Sequence, residues 1–350
     1  MKVRSAAELM KDNMIVKHYA GSIAYGTNLP SSDIDFRGLF CGDPVNVRTP
    51  FFPVRECDDQ DEEDTKLYEL AHFMKLCLDC NPNIIETLWV DDSDVVFRTD
   101  AYDYLRSVRA ELLSSKVAFT FSGYAIAQLK RIKGHNKWIN NPQKKEAPMQ
   151  CDYVSLVQNF SEEKVMPSHF SLRRRDYRLV PYGNELYGMY EAKGYETYDD
   201  IGTLNTNFEG DRHTLPGLLM LVKFNKEEYL LAKDKHGHYW EWKKNRNDKR
   251  GVLEEQFGYD TKHAMHLVRL LRMAKEILET GIVNVKRPDS DELLRIRGGA
   301  WTYDEVLAYS ENMDKEIREV WYKKTSLPKK PNIKRAAEIL MIVQDSIWSK

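Results

Sequence analysis

No stretch of this chain approaches 18 consecutive apolar residues, so the sequence offers no ordinary membrane-spanning helix. The opening segment, MKVRSAAELMKDNMIVKHYAG, is basic but lacks a long apolar run and does not read as a secretory signal. Cysteine is scarce. The five present, Cys41, Cys57, Cys77, Cys80 and Cys151, are odd in number and scattered, which argues against a disulfide scaffold and fits a reducing, cytoplasmic setting. Cys77 and Cys80 form a C-x-x-C, yet no second pair follows at zinc spacing, and within FMKLCLDC they read as two thiols on a helix face. Internal repeats and low-complexity linkers are also lacking. An excess of one charge is missing too: 52 Lys and Arg stand against 54 Asp and Glu, a formal net charge of -2. That balance argues against a generic polyanion binder with a dominating positive field, so any basic groove must be local.

What is present suffices for a sizeable core: 42% of the 350 residues are hydrophobic and 11% aromatic. The length suits one large domain or two to three ordinary ones. In the N-terminal third, 15–20 and 34–40 read as strands around a short turn-and-helix segment that ends at Pro30. Residues 58–64 read as a solvated acidic loop, and 67–78 have helical spacing with Leu70, Phe73, Met74 and Leu78 on one stripe. Helical patterning is strong over 107–132, and the following GHNKWINNPQKKEAP is turn-rich. Residues 176–243 contain β-like runs (LPGLLMLVKF, EEYLLA) and the aromatic HGHYWEW. Residues 260–280 form the cleanest helix, closed by Gly281, with further helices at 302–322 and 334–347. The expected fold class is α+β. A small mixed-sheet catalytic domain at 1–115 would precede a mainly helical domain at 116–350 that carries a β-rich insertion over about 176–243.

The functional signal lies in AGSIAYGTNLPSSDIDFRGLF at 20–40. Strand interiors usually exclude aspartate, yet Asp33 and Asp35 sit inside an apolar run. If the strand includes them, alternation puts both carboxylates on one face, roughly 7 Å apart, with Ile34 and Phe36 turned into the core. Such a pair is a hard-oxygen site suited to Mg²⁺ or Mn²⁺, and without a cation each carboxylate would raise the other's pKa. Upstream, Gly21 lets the backbone turn sharply and approach a ligand, Ser22 offers a hydroxyl, and the amides at a helix start suit phosphate. Phosphate donors followed about ten residues later by a metal pair form a layout for a nucleoside triphosphate, with in-line displacement at phosphorus.

Cationic elements lie further along. In DTKHAMHLVRLLRMAKEIL, Ala264, Leu267, Leu271, Ala274 and Leu278 mark a core stripe, and Lys262, His266 and Arg269 fall on an adjoining one suited to neutralising triphosphate charge. The 121–133 helix stacks Tyr124, Gln128 and Arg131. In WKKNRNDKR, five of nine residues are basic, and Asn245, Arg246, Asn247 and Arg250 suit phosphate or base contacts. Trp240 and Trp242 alternate with polar residues as on a strand, and aromatics beside cations can stack on bases. RRRDYR at 173–178 reads as a charged surface face. Glu86, alone in an apolar run, reads either as a helix-face acid paired with a nearby base or as a site residue.

The full string GSIAYGTNLPSSDIDFRG resembles the signature of the DNA polymerase β-type nucleotidyltransferases, a glycine-serine turn followed by two spaced acids. Its AYGT and FRG elements are similar to a bacterial and phage branch of predicted nucleotidyltransferases that includes RNA-ligase-associated members. The likeness continues in NPNIIETLW (81–89), FSGYAIAQLKRI (121–132), WKKNRNDKR (242–250) and FGYDTKHAMHLVRLL (257–271), while 151–235 carries little of it. The resemblance implies that Gly21 and Ser22 bind the triphosphate and that Asp33 and Asp35 hold the metals. It also implies a third carboxylate near the attacking hydroxyl. Asp64 is preferred for that part over Glu63 and Glu69, since a strand over 64–68 would put Asp64, Lys66 and Tyr68 on one face.

The expectation is therefore a cytoplasmic, metal-dependent nucleotidyltransferase. It would move a nucleoside monophosphate from a triphosphate to an acceptor hydroxyl, first of all on RNA such as a tRNA or a broken RNA end, and release pyrophosphate. A protein or small-molecule hydroxyl is the alternative acceptor, and a non-catalytic nucleotide- or RNA-binding protein is the rival from another class.

Overall fold

The computed structural model describes residues 3–58, 64–163, 165–246 and 248–349, without the side chains of residue 212 and residues 248–250. Two compact units emerge: residues 1–139 together with 248–350, and residues 140–247. The fold class is α+β, as the sequence patterning indicated. Among the described residues, no helix is long and apolar enough to cross a membrane.

The first unit begins with α1 (Ala6–Asp12), held by a reciprocal capping box between Ser5 and Glu8. Next come β1 (Met14–Tyr19), α2 (Gly21–Tyr25), β2 (Phe36–Phe40), α3 (Pro44–Arg48), β3 (Glu56–Asp58) and β4 (Thr65–Glu69). After them run α4 (Leu70–Leu78), α5 (Pro82–Ile85), β5 (Val95–Arg98), α6 (Asp100–Ser107) and the long α7 (Val117–Asn140). The five strands form one mixed sheet ordered β3-β4-β2-β1-β5, in which β2 and β4 run parallel and the other pairs antiparallel. Alternation sends Leu39 of β2 into the main core with Val16 and Phe73, whereas its neighbour Phe40 packs with Leu9, Met10 and Leu67 under α1. Glu69 ends β4 and caps α4: its carboxylate accepts hydrogen bonds from the amides of Ala71 and His72.

The second unit carries β6 (Val154–Asn159), β7 (Arg175–Gly183), β8 (Leu186–Glu196) and β9 (Leu218–Phe224) in an antiparallel sheet ordered β6-β9-β8-β7, and then α8 (Lys226–Lys244). Here the structure departs from the sequence reading. EEYLLA and HGHYWEW lie on α8, so Trp240 and Trp242 belong to a helix and not to a strand. Local alternation over a few aromatic residues was outweighed by a run of good helix formers, Lys, Glu, Leu and Ala, that opens with Glu227 and Glu228 in the first turn.

The chain then returns to the first unit with α9 (Asp248–Phe257), α10 (Thr261–Thr280), α11 (Ser290–Arg297) and α12 (Tyr303–Glu316), followed after a π-helical turn by α13 (Tyr322–Lys324) and then α14 (Ile333–Trp348). The α10 helix keeps the boundaries expected from its sequence. Asp260 caps its start by accepting from the His263 amide at 2.9 Å, and Gly281 ends it at φ 73°. Ala264, Leu267, Leu271, Ala274 and Leu278 are all buried, as the stripe required. The α7 helix runs on through Gly134 to Asn140, across residues that read as a turn-rich loop; Asn136 on this extension donates to the Gly258 carbonyl at 2.9 Å.

Candidate active site

The strand β1 delivers the chain to Gly21, whose φ of +58° lies in the left-handed region. A Cβ at this position would strike a carboxylate oxygen of Asp35, so only glycine lets the turn and that acid coexist. The β2 ladder begins only at Phe36, and Ala20 N–H donates to the Asp35 carbonyl at 2.8 Å just ahead of it. Asp33, Ile34 and Asp35 thus precede the strand, which corrects the expectation that both acids sit within it. Ile34 is 54% exposed rather than core. Pro30 and two serines, followed by repelling carboxylates, keep this segment out of the ladder until the Phe36–Tyr19 pair forms. Asp35 is the more buried of the two; burial raises its pKa most, Arg37 and Lys262 oppose the shift, and Asp64 and Asp33 add to it.

Asp64 also stands just before its strand, exposed and at φ 58°, so the strand-face argument for it does not hold. Register brings it to Asp35 instead. Phe36 pairs with Thr65 across the parallel β2–β4 ladder, and Phe36 N–H donates to the Asp64 carbonyl at 3.1 Å, so Asp35 and Asp64 occupy equivalent positions at the same edge. Glu63 lies outside the described residues, and Glu69 is consumed as the α4 cap.

Asp35 and Gly21 open into a cleft of about 550 Å³ within the first unit. Its far wall carries Lys262, His266 and Arg269 from α10, and Tyr124, Gln128 and Arg131 from α7, with Arg37 of β2 on the near side. The structure therefore brings both helical stripes read from the sequence to the cleft that Asp35 enters. Their charge states differ from the expectation of a uniformly cationic face. Burial, aided by Arg269 and Lys262, holds His266 well below the usual imidazole range, so it is a neutral hydrogen-bonding group at pH 7. His18, on the β1 side, is likewise pushed down to about 4 by burial; its Nδ1 bonds the Tyr19 carbonyl at 2.8 Å and its Nε2 the Thr87 hydroxyl at 3.2 Å.

Arg269 is 4% exposed. Its guanidinium donates to Glu86 at 2.8 Å and lies over the Tyr25 ring at 3.7 Å, while the Tyr25 hydroxyl donates to the other Glu86 oxygen at 2.7 Å. Glu86 thus has the paired-acid role among its two readings. The triad ties α2, whose first residues are Gly21 and Ser22, to α10. The Arg269 Nε is buried with no hydrogen-bond partner among the described residues.

Asn245 and Arg246 lie at the end of α8 in the second unit, with Arg246 stacked on Trp242 at 5.1 Å. Asn247 lies outside the described residues, as does the side chain of Arg250 on α9. The sequence reading passed over Arg37, His18, Tyr25 and His263 as cleft residues. Arg37 was legible in principle, two residues beyond Asp35, whereas the others depend on contacts across the fold.

Residues 5–146 match the RNA repair pathway DNA polymerase beta family, which confirms for that portion the likeness to a DNA polymerase β-type nucleotidyltransferase branch. Comparison with curated proteins and with solved structures yields no match.

Proposed function

We propose that this chain is a nucleotidyltransferase that moves a nucleoside monophosphate from a nucleoside triphosphate to an acceptor hydroxyl on RNA. The family matched over residues 5–146 supports transferase chemistry in an RNA repair setting. The observation that carries the reading is Asp35, two residues from Asp33 and in register with Asp64, beside a glycine turn with no room for a Cβ, at a cleft walled by Lys262 and Arg131. All three donors are carboxylates, a set that fits Mg²⁺ or Mn²⁺ rather than a thiol- or imidazole-preferring ion, and Asp33 and Asp35 would hold the ions with Asp64 completing the set. When bound, the ions supply Lewis-acid charge neutralisation and hold the reacting oxygens in line.

The residues of the chain do the rest. Gly21 and Ser22 cradle the triphosphate, and Lys262 faces its charge with neutral His266 as a hydrogen-bond partner. Arg269, fixed by Glu86 and Tyr25, holds the α2 turn in place; a ligand oxygen reaching its Nε would satisfy a buried donor otherwise worth about 1–3 kcal/mol. The acceptor oxygen forms a bond to the α-phosphorus while the bond to the bridging oxygen breaks. Pyrophosphate leaves with that electron pair, and the hydroxyl proton passes to the Asp64 carboxylate. Asn245, Arg246, Asn247 and Arg250 are the proposed acceptor contacts. A cytoplasmic setting fits the scattered, unpaired cysteines.

The test is incubation with each α-³²P triphosphate, Mg²⁺ and a mixture of RNA with free 3′ hydroxyls, protein and small metabolites, followed by separation. Label on RNA supports the reading. Label on protein or on a small molecule overturns the acceptor, and triphosphate binding without transfer to any acceptor reduces the chain to a binding protein.

A further inference from the structure

Three helices bring a second donor set together. His135 on α7, Glu254 on α9 and Asp260 at the head of α10 place one ligand atom each within 4.8 Å of one another. His135 Nδ1 lies 3.5 Å from an Asp260 oxygen and 3.8 Å from a Glu254 oxygen. Both acids are buried, at 3% and 2% exposure. His263, one turn into α10, directs its Nδ1 to the same Asp260 oxygen at 2.5 Å and meets Arg131 through its other nitrogen at 3.4 Å.

We infer that His135, Glu254 and Asp260 form a binding site for one first-row divalent cation of the Zn²⁺ class, with His263 orienting Asp260 from outside the coordination shell. A cation with bonds of about 2.0–2.2 Å holds neighbouring donors roughly 3.0–3.5 Å apart; the two separations from His135, 3.5 and 3.8 Å, are close to that, and the third pair lies within 4.8 Å. One imidazole and two carboxylates suit Zn²⁺ better than Mg²⁺, which favours oxygen and retains water. Three protein ligands leave a fourth position for water. Ligating carboxylates are themselves commonly hydrogen-bonded from outside the coordination shell, the part His263 plays for Asp260.

The placement gives the ion a task. Its ligands come from α7, α9 and α10, and two of those helices present Arg131 and Lys262 to the cleft. A cation there would tie together the helices that wall the cleft, and its ligands are distinct from the carboxylates at 33, 35 and 64. The inference stands whether or not nucleotidyl transfer proves correct.

The experiment is equilibrium dialysis of the full chain against Zn²⁺ after chelator treatment, read by elemental analysis and thermal melting. Wild type is expected to bind one Zn²⁺ per chain and to melt higher with it. His135→Ala and the near-isosteric Glu254→Gln are expected to bind at least about 100-fold more weakly and to lose the Zn²⁺-dependent shift. A double variant with Asp33→Asn and Asp35→Asn is expected to keep the ion. Co²⁺ loaded in place of Zn²⁺ should show visible d–d bands without thiolate charge-transfer absorption, which separates this site from the five cysteines. Circular dichroism confirms that each variant is folded; if His135→Ala is not, Glu254→Gln decides. No stoichiometric Zn²⁺ in wild type overturns the assignment, as does undiminished binding in folded Glu254→Gln, and the cluster is then a hydrogen-bonded helix junction only.

Discussion

Consider Glu86→Gln, a change of one atom in the buried triad. Arg269 is 4% and Glu86 7% exposed, so water cannot compensate the guanidinium once its partner is neutral. Breaking a buried ion pair from one side costs about 3–5 kcal/mol, and the amide oxygen of Gln, still able to accept, puts the expected loss near the lower end, about 3 kcal/mol. Tyr25→Phe keeps the ring under Arg269 but removes the hydroxyl that donates to Glu86 at 2.7 Å. Burial keeps that phenol well above its usual pKa and hence a donor. A hydrogen bond to a charged acceptor is worth about 1.5–3 kcal/mol, and Tyr25→Phe should cost that much in wild type but under about 1 kcal/mol in the Glu86→Gln background. Urea unfolding of the four proteins in the cycle, followed by tryptophan fluorescence, supplies the numbers. Because the triad anchors α2 to α10, Glu86→Gln should also weaken triphosphate binding. A loss below about 1 kcal/mol for Glu86→Gln, or equal costs for Tyr25→Phe in both backgrounds, would mean that the three side chains do not act as one buried unit.

Asp35→Asn should abolish transfer yet leave the melting temperature equal or higher: burial raises the Asp35 pKa, so its contribution is present below its unfolded value, is lost as pH rises, and costs stability when ionised at pH 7; a melting temperature lowered by several degrees would count against this. Gly21→Ala should already fail to bind triphosphate in a filter assay, from backbone strain and collision with Asp35, and normal binding would remove the turn from the site. His18 is pushed down to about 4, so stability should fall as pH drops from about 6.5 to about 4, by about 3 kcal/mol in total, and His18→Gln should flatten that part of the curve of unfolding free energy against pH. Arg246→Ala should weaken RNA binding and flatten its dependence on log salt by roughly one unit, with triphosphate affinity unchanged; an unaltered slope removes Arg246 from the acceptor surface.

Local patterns carried the fold class, the α10 helix with its cap and core stripe, and the glycine turn with its two acids. Each rests on residues close in sequence: a cap and a 3.6 period, or a tight turn followed by charges where apolar residues belong. Residues 226–243 misled because a few aromatic residues satisfy period 2 by chance, while helix propensity accumulates over nineteen residues. The strand boundaries at Asp35 and Asp64 were missed because the ladder partners that set them lie on other strands. The Tyr25–Glu86–Arg269 triad spans 183 residues between two of its members and has no local signature. His135 was hidden inside a stretch that reads as a loop, and its partners Glu254 and Asp260 lie more than a hundred residues away.

The most direct test of the account is pyrophosphate release measured alongside incorporation of α-labelled monophosphate into RNA, in Mg²⁺, for wild type and for Asp33→Asn, Asp35→Asn and Asp64→Asn. The account requires one pyrophosphate per monophosphate incorporated in wild type, and rates lower by at least about a thousandfold in the Asp33 and Asp35 variants, with each variant still folded. Transfer at near wild-type rates in either of those two variants, or label incorporated without pyrophosphate, would contradict it.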